Sequence, residues 1–318
     1  MKIAILDDYA GVAKDMADWS GLGEVTAFRD TVTDNKALIE RLSPFEVLCV
    51  MRERTPLPAA IIDALPNLRL IVTTGARNAS IAAAAARARG IDVCSTSSRK
   101  TTTSELAMTL ILALSRRIVP ESASLASGGW QVGLGRDLHG LTLGLIGLGS
   151  IGEQMVGLAR AFGMDVCAWS QNLTQARCDE LGVRRCESLE ALMASADVAS
   201  VHLVLSERSR GLIDERAFAA SKPGLVFVNT SRGPIVDSKA LIAGLRAGGP
   251  AMAGLDVFDA EPLPADDPVR DEALIAEGRL LLTPHLGYAT EATWRVFYGE
   301  TVAAIRAWQA GSPIRVIN

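Results

Sequence analysis

The sequence predicts an α/β protein built from two doubly wound parallel-sheet domains. Three observations carry that prediction. Short aliphatic and β-branched runs alternate with helix-period segments twice along the chain, the pattern of parallel strands joined by helical crossovers. A single long apolar helical stretch separates the two alternations. The chain has 318 residues, more than one hydrophobic core ordinarily serves.

In the first alternation, residues 3–6, 25–28, 47–50, 70–73 and 91–94 read as strands. Residues 35–42 and 58–65 carry the 3.6-residue spacing of amphipathic helices, and residues 80–89 form an alanine-rich helix that Gly90 ends. Residues 101–126 read as one long helix. Apolar side chains recur through Leu106, Met108, Leu110, Ile111 and Leu114, a Thr/Ser cluster suits the start, and Gly128-Gly129 closes it. The second alternation places strands at 141–146, 165–169, 198–203, 225–229, 251–255 and 280–283. Its helices are predicted at 150–162, 174–181, 189–195, 215–220 and 238–247, followed by a last helix at 291–309 and an extended tail at 313–318. The expected domains are therefore 1–98 with 287–318, and 99–286 inserted between them.

Composition narrows the function classes. Lys and Arg total 32 against 36 Asp and Glu, a formal charge of −4 without long runs of either sign, so no nucleic-acid partner is expected and a small molecule is. The five cysteines (Cys49, Cys94, Cys167, Cys178, Cys186) are odd in number and contain no C-x-x-C pair, as reduced thiols of a cytoplasmic protein would be. They are assigned no chemistry, and no metal site is expected. Residues 2–6 followed by Asp7-Asp8 are too short and too acidic for a secretory leader, and no apolar run approaches membrane-spanning length. The expected location is the cytoplasm, with no membrane partner.

The chemistry concentrates at strand ends of the second alternation. Gly147-Leu-Gly149-Ser150-Ile151-Gly152 is a G-x-G-x-x-G run fed by a strand and leaving as a helix. In that context Gly147 makes the tight turn, Gly149 admits a pyrophosphate to the backbone, Gly152 permits close helix packing, and the helix N-terminus faces the anion. The acidic residue that usually ends the second strand, taking the ribose hydroxyls, is replaced by Ser170, with Gln171 and Asn172 after it. Without that carboxylate NADP is no longer repelled, so the cofactor is NAD or NADP with a lean towards NADP; Arg177 assists only if its loop folds back.

Three further segments place polar residues beyond apolar strands, where open α/β sheets hold ligands. Asn229-Thr230-Ser231-Arg232-Gly233 offers a guanidinium that grips a carboxylate, with a glycine tightening the turn. Asp256-Val-Phe-Asp259-Ala-Glu261-Pro262 carries three acids, too many to be solvated loop charges alone. Thr283-Pro284-His285-Leu286-Gly287 holds one of only three histidines, where a nearby carboxylate would orient the imidazole for proton transfer near neutral pH. His139 and His202 read as structural.

Taken together and in this order, these four motifs make the chain resemble the D-isomer-specific 2-hydroxyacid dehydrogenases, the group that includes glyoxylate and hydroxypyruvate reductases. The resemblance runs from end to end. It implies a Rossmann dinucleotide-binding domain inserted into a flavodoxin-like substrate domain, a small 2-oxo or 2-hydroxy acid substrate, and a homodimer formed through the long helical region. It implies that His285 exchanges a proton with the substrate oxygen, that Glu261 hydrogen-bonds the imidazole and sustains its protonated form, and that Arg232 polarises the carbonyl and binds the carboxylate. Cofactor contacts are implied at Gly147, Gly149, Ser150, Ile151, Gly152, Ser170, Thr230, Asp256 and Thr103, and substrate contacts at Thr74, Gly75, Ala76 and Arg77 through backbone N–H groups.

The chain departs from that group in places. Gly75-Ala76-Arg77-Asn78-Ala-Ser-Ile81 replaces the loop of many relatives and adds a cation suited to a second acidic group on the substrate. Arg52 and Arg54 follow the third strand and read equally well as solvated charges. Val204-Leu205-Ser206 stands where relatives often carry a proline turn. Two rivals remain on the same scaffold: a nicotinamide-sensing, corepressor-like regulator, against which the Arg232, Glu261 and His285 set weighs, and a formate- or phosphite-type dehydrogenase.

Overall fold

The computed structural model describes residues 1–99 and 101–318, which form two compact units: 1–99 with 289–318, and the intervening residues up to 288. The first unit opens with β1 (Lys2–Ile5) and β2 (Glu24–Ala27), then α1 (Asn35–Leu42), β3 (Val47–Val50), α2 (Ala59–Ala64), β4 (Leu70–Thr73), α3 (Ala83–Ala88) and β5 (Asp92–Ser95). All pairings are parallel and the sheet order is β2-β1-β3-β4-β5, the flavodoxin-like order. β3 and β4 are buried along their whole length, which explains why both read as continuous apolar runs. The C-terminal tail returns to this sheet: Ile317 N–H donates to Val93 O, and Ser95 N–H to Arg315 O, so the tail lies antiparallel against β5.

The second unit begins with α4 (Thr102–Ser115) and α5 (Ile118–Ala126). The single helix expected over 101–126 is thus two helices, with Arg117 left-handed at φ +54° between them. Pro120 supplies the reason. A proline inside a continuous helix removes a donor and collides with the carbonyl four residues earlier, here that of Arg116, whereas the first turn of a new helix tolerates it. The two segments then part ways: α4 buries Ala107, Met108, Leu110, Ile111 and Leu114, each large aliphatic side chain contributing about 1.5–3 kcal/mol, and α5 buries none of its residues.

The strands of the second unit are β6 (Thr142–Ile146), β7 (Asp165–Trp169), β8 (Arg184–Arg185), β9 (Val198–Val201), β10 (Val226–Asn229), β11 (Met252–Leu255) and β12 (Leu280–Leu282). Between them run α6 (Ser150–Ala161), α7 (Gln175–Leu181), α8 (Leu189–Ser195), α9 (Glu215–Ala219), α10 (Ser238–Ala247) and α11 (Glu272–Ala276), and α12 (Glu291–Gln309) returns the chain to the first unit. The order β12-β11-β10-β9-β6-β7-β8 is all parallel, the Rossmann arrangement extended by one strand. The fold class is the one the sequence predicts.

Local chemistry sets the helix ends. Thr174 caps α7 through Arg177 N–H and Gly182 closes it at φ +62°; Asp237 caps α10 through Lys239 and Ala240 N–H groups. The sequence does not announce the short strand β8, whose two residues are too few for a periodic signal, nor helix α11. Helix α3 is also shorter than its alanine-rich sequence suggests. No helix among the described residues is long and apolar enough to cross a membrane. All five cysteines are free and buried.

Candidate active site

Parallel register aligns the site. Trp169, Ile146, Val201, Asn229, Leu255 and Leu282 are mutual partners across β7, β6, β9, β10, β11 and β12, so the six loops beyond them start in one row, about 5 Å apart per strand. Ser170, Gly147, His202, Thr230, Asp256 and Thr283 are the first residues of those loops. The sequence motifs therefore fall along one edge of one sheet.

The glycine run has three different reasons for its three glycines. Gly147 turns at φ +107°, and a Cβ there would lie 2.6 Å from His202 O. A Cβ on Gly152 would lie 2.3 Å from Gly147 O. Around Gly149 no atom lies within 4 Å of a Cβ position, and Gly149 precedes α6 without any side-chain cap. The amides of Ser150, Ile151 and Gly152 therefore begin a twelve-residue helix facing open space. Thr230 Oγ1 is buried with no hydrogen-bond partner among the described residues. An open approach over Gly149, uncapped amides and an orphaned hydroxyl two strands away together fit a dinucleotide laid along this edge.

At the other end, three loops converge through backbone contacts. Asn229, 1% exposed, accepts from Ser231 N–H (3.0 Å) and donates to Arg232 O (3.0 Å), locking the turn that carries Arg232. Gly233, which the sequence reads as tightening the turn, has no left-handed φ. A Cβ there would lie 2.1 Å from the Phe258 carbonyl carbon, so it is glycine because the loop after β11 passes against it. That second loop is fixed by Phe258 N–H, which donates to Glu261 Oε1 at 3.0 Å. The other carboxylate oxygen, Oε2, meets His285 Nδ1 at 2.5 Å, with both side chains about one-fifth exposed.

His285 is left-handed at φ +55°, a conformation that costs a non-glycine residue roughly 1–3 kcal/mol and persists only where neighbours enforce it. Asp256 enforces it. Fully buried, its Oδ1 accepts from Thr283 Oγ1 (2.6 Å) and Leu286 N–H (2.7 Å), and its Oδ2 from Gly287 N–H (2.8 Å). Burial pushes the Asp256 carboxyl above its ordinary value, against the pull of those three donors. Thr103, on α4, donates to Gly287 O at 3.1 Å from the other side. Asp256 and Thr103, two of the residues that the resemblance assigns to the cofactor, thus already clamp the histidine turn. Tyr288 closes it edge-on to the imidazole, with ring centroids 5.2 Å apart.

The remaining acid of this segment, Asp259, is exposed and accepts from Ser238. His202 is structural: its Nε2 meets Ser200 Oγ at 2.9 Å and burial pushes the imidazole down to about 4. A base held neutral when folded and protonated more readily when unfolded adds stability above its unfolded value near 6.5, and that stability is lost as pH falls towards 4. We expect thermal midpoints to fall across this window, and His202→Gln to flatten the fall; an unchanged pH profile for the variant would contradict the assignment.

In the first unit, the loop after β4 has some of its polar groups already committed. Thr74 N–H donates to Val50 O and Gly75 N–H to Thr96 Oγ1 (2.8 Å). The amides of Thr74 and Gly75, expected to meet a substrate carboxylate, are thus occupied within the unit, while those of Ala76 and Arg77 are exposed and have no partner among the described residues. Arg52 is left-handed (φ +52°), its N–H bound to Thr74 Oγ1 and its carbonyl to Asn78, and its guanidinium lies in the space a side chain at Gly75 would need. Arg54 stacks over the Tyr9 ring at 5.2 Å. Sequence reasoning missed Asn229 and Thr283 as turn-holding residues; their signal was a polar side chain at a strand end, present but not specific.

Comparison with known proteins places the chain in a family. The family model for the D-isomer specific 2-hydroxyacid dehydrogenase NAD binding domain matches residues 108–287. The glyoxylate reductase of Korarchaeum cryptofilum is 35% identical over 265 residues, covering 81% of this chain and 78% of that protein. The D-3-phosphoglycerate dehydrogenase of Mycobacterium leprae is also 35% identical, over 81% of this chain, but the match spans only 48% of that longer protein. Among solved structures, the phosphoglycerate oxidoreductase of Vibrio cholerae superposes with a TM-score of 0.91 at 35% identity, covering 98% of this chain and all of that one. On the extent of the family match and the coverage of these relatives, the chain belongs to the D-isomer specific 2-hydroxyacid dehydrogenase family.

Proposed function

We propose that the protein is an oxidoreductase that interconverts a small 2-oxo acid and the D-2-hydroxy acid, with NAD(H) or NADP(H) as the redox partner. The observation that carries this reading is the His285–Glu261 contact beside the Arg232 turn, at the sheet edge that begins with the glycine loop. When bound, the reduced nicotinamide supplies a hydride. His285 supplies the proton to the 2-oxo oxygen, and removes it in the reverse direction. Glu261 holds Nδ1, which leaves Nε2 for the substrate and fixes the ring's orientation. Arg232 binds the carboxylate and draws charge from the carbonyl. Asp256 and Thr103 act through the backbone by keeping the His285 turn in its left-handed form.

On this reading the second unit binds the dinucleotide and the first recognises the acid. Ser170 in place of a carboxylate favours NADP over NAD. The exposed Ile118, Val119, Leu125, Trp130, Val132 and Leu134 lie on α5 and the segment after it, and we assign them to a homodimer interface.

The deciding experiment is turnover of glyoxylate, hydroxypyruvate and related 2-oxo acids with NADH and NADPH. Turnover of at least one 2-oxo acid supports the reading. Normal dinucleotide binding without turnover across the panel would overturn it in favour of a regulatory protein. The same panel tests the substrate loop: Arg77→Ala should raise KM about tenfold or more for 2-oxo acids carrying a second anionic group and leave glyoxylate within about twofold. Equal effects on both classes would remove Arg77 from recognition.

A further inference from the structure

A role for Arg208 in cofactor choice rests on the dinucleotide reading, which brings the adenosine ribose to the C-terminal end of β7. Two guanidinium groups, of Arg185 and Arg208, contact the loop that starts there at Ser170, and a third, Arg177, lies on the helix that follows it; they differ in how they are occupied. Arg177 is held by two carboxylates, Glu153 and Glu180, each at 2.7 Å. Arg185 donates to Leu173 O and pairs with Glu187 at 3.4 Å. Arg208 forms no ion pair among the described residues: its Nη2 donates only to Asn172 Oδ1, at 3.3 Å, and it is exposed.

Arg208 comes from the loop after β9, on the far side of β6 from β7. Its loop is tied across by a second contact, Gln171 Nε2 donating to Arg208 O at 2.9 Å. Two loops flanking the glycine strand thus join beside Ser170, whose hydroxyl has no partner among the described residues. A guanidinium without a counter-ion, a hydroxyl and two amide side chains belong to the two loops at the strand end where the glycine motif puts the ribose 2′ position, and no carboxylate contacts them among the described residues. Such a set suits a phosphate dianion, which a planar guanidinium binds through paired N–H groups.

We propose that Arg208, with the Ser170 hydroxyl, receives the 2′-phosphate of NADP(H) and is the residue that sets the preference for it over NAD(H). The lone acceptor it now contacts, Asn172 Oδ1, is a neutral group that a phosphate displaces at little electrostatic cost.

The test is direct binding to the intact protein, read by titration calorimetry, with NADPH, NADH, adenosine 2′,5′-bisphosphate and 5′-AMP. Wild type should bind NADPH and the bisphosphate at least about tenfold more tightly than NADH and 5′-AMP. Arg208→Gln should erase that difference by weakening only the 2′-phosphorylated ligands, Arg208→Lys should retain part of it, and Arg177→Gln should leave the ratio unchanged. Because Arg208 is exposed, thermal midpoints should stay together. Equal weakening of both ligand pairs, or a wild-type ratio that Arg208→Gln does not alter, overturns the proposal. Failure of wild type to bind either dinucleotide overturns the dinucleotide site itself, and Arg208's role with it.

Discussion

Replacing His285 with alanine is expected to lower turnover roughly 10²- to 10⁴-fold while leaving dinucleotide affinity within about twofold, because the proposed function gives the imidazole a part in proton transfer and none in cofactor binding. The geometry makes this a clean experiment. Asp256 holds the turn through the amides of Leu286 and Gly287 and through the Thr283 hydroxyl, none of which belongs to the imidazole. Deleting the ring therefore leaves the clamp intact, and the variant should fold. What it removes is the partner of Glu261 Oε2, leaving a carboxylate still held by Phe258 N–H. Steady-state turnover on whichever 2-oxo acid the wild type reduces, beside calorimetric binding of NADH and NADPH, reads both quantities. Near-normal turnover would move the proton-transfer role elsewhere on the sheet edge. Loss of dinucleotide binding in parallel would mean that the turn had collapsed and that the clamp had been misread.

Much of this site is legible in the sequence because each piece is local: a strand, then a polar turn. The glycine loop, the Arg232 turn and the His285 turn all come after apolar runs that the periodicity locates within a residue or two. Their alignment in one row is a consequence of parallel register, which the alternation already implies. What the sequence could not give are contacts between segments far apart in the chain. The Gly75 amide is occupied by Thr96, 21 residues away, and the Asp256 carboxylate by a loop some 30 residues on. No window-based pattern reports such a pairing. The helix break at Arg117 is a different case, since Pro120 announced it and the apolar spacing of 101–126 hid it. Likewise Gly233 is visible as a turn glycine, but its reason, the backbone of Phe258 pressed against it, exists only in three dimensions.

That reason separates two glycines that look alike in sequence, and gives the second large effect expected here. Gly233→Ala should lower the thermal midpoint by about 5–10 °C, since a methyl group 2.1 Å from the Phe258 carbonyl carbon meets the backbone of Phe258 and Asp259 and forces the loops apart. Turnover should fall with it, because the displaced loop is the one that presents Glu261 to His285. Gly149→Ala should do the reverse. Its φ of −82° is open to alanine and nothing lies within 4 Å of the new methyl, so the midpoint should move by no more than about 1–2 °C. The methyl instead occupies the approach to the uncapped amides of α6, and dinucleotide binding should weaken at least about tenfold. Thermal melts of the two free proteins, with dinucleotide titrations, separate these outcomes. A Gly149→Ala protein that melts early yet binds normally would place the anion elsewhere, because only an occupied approach makes that open space costly to fill.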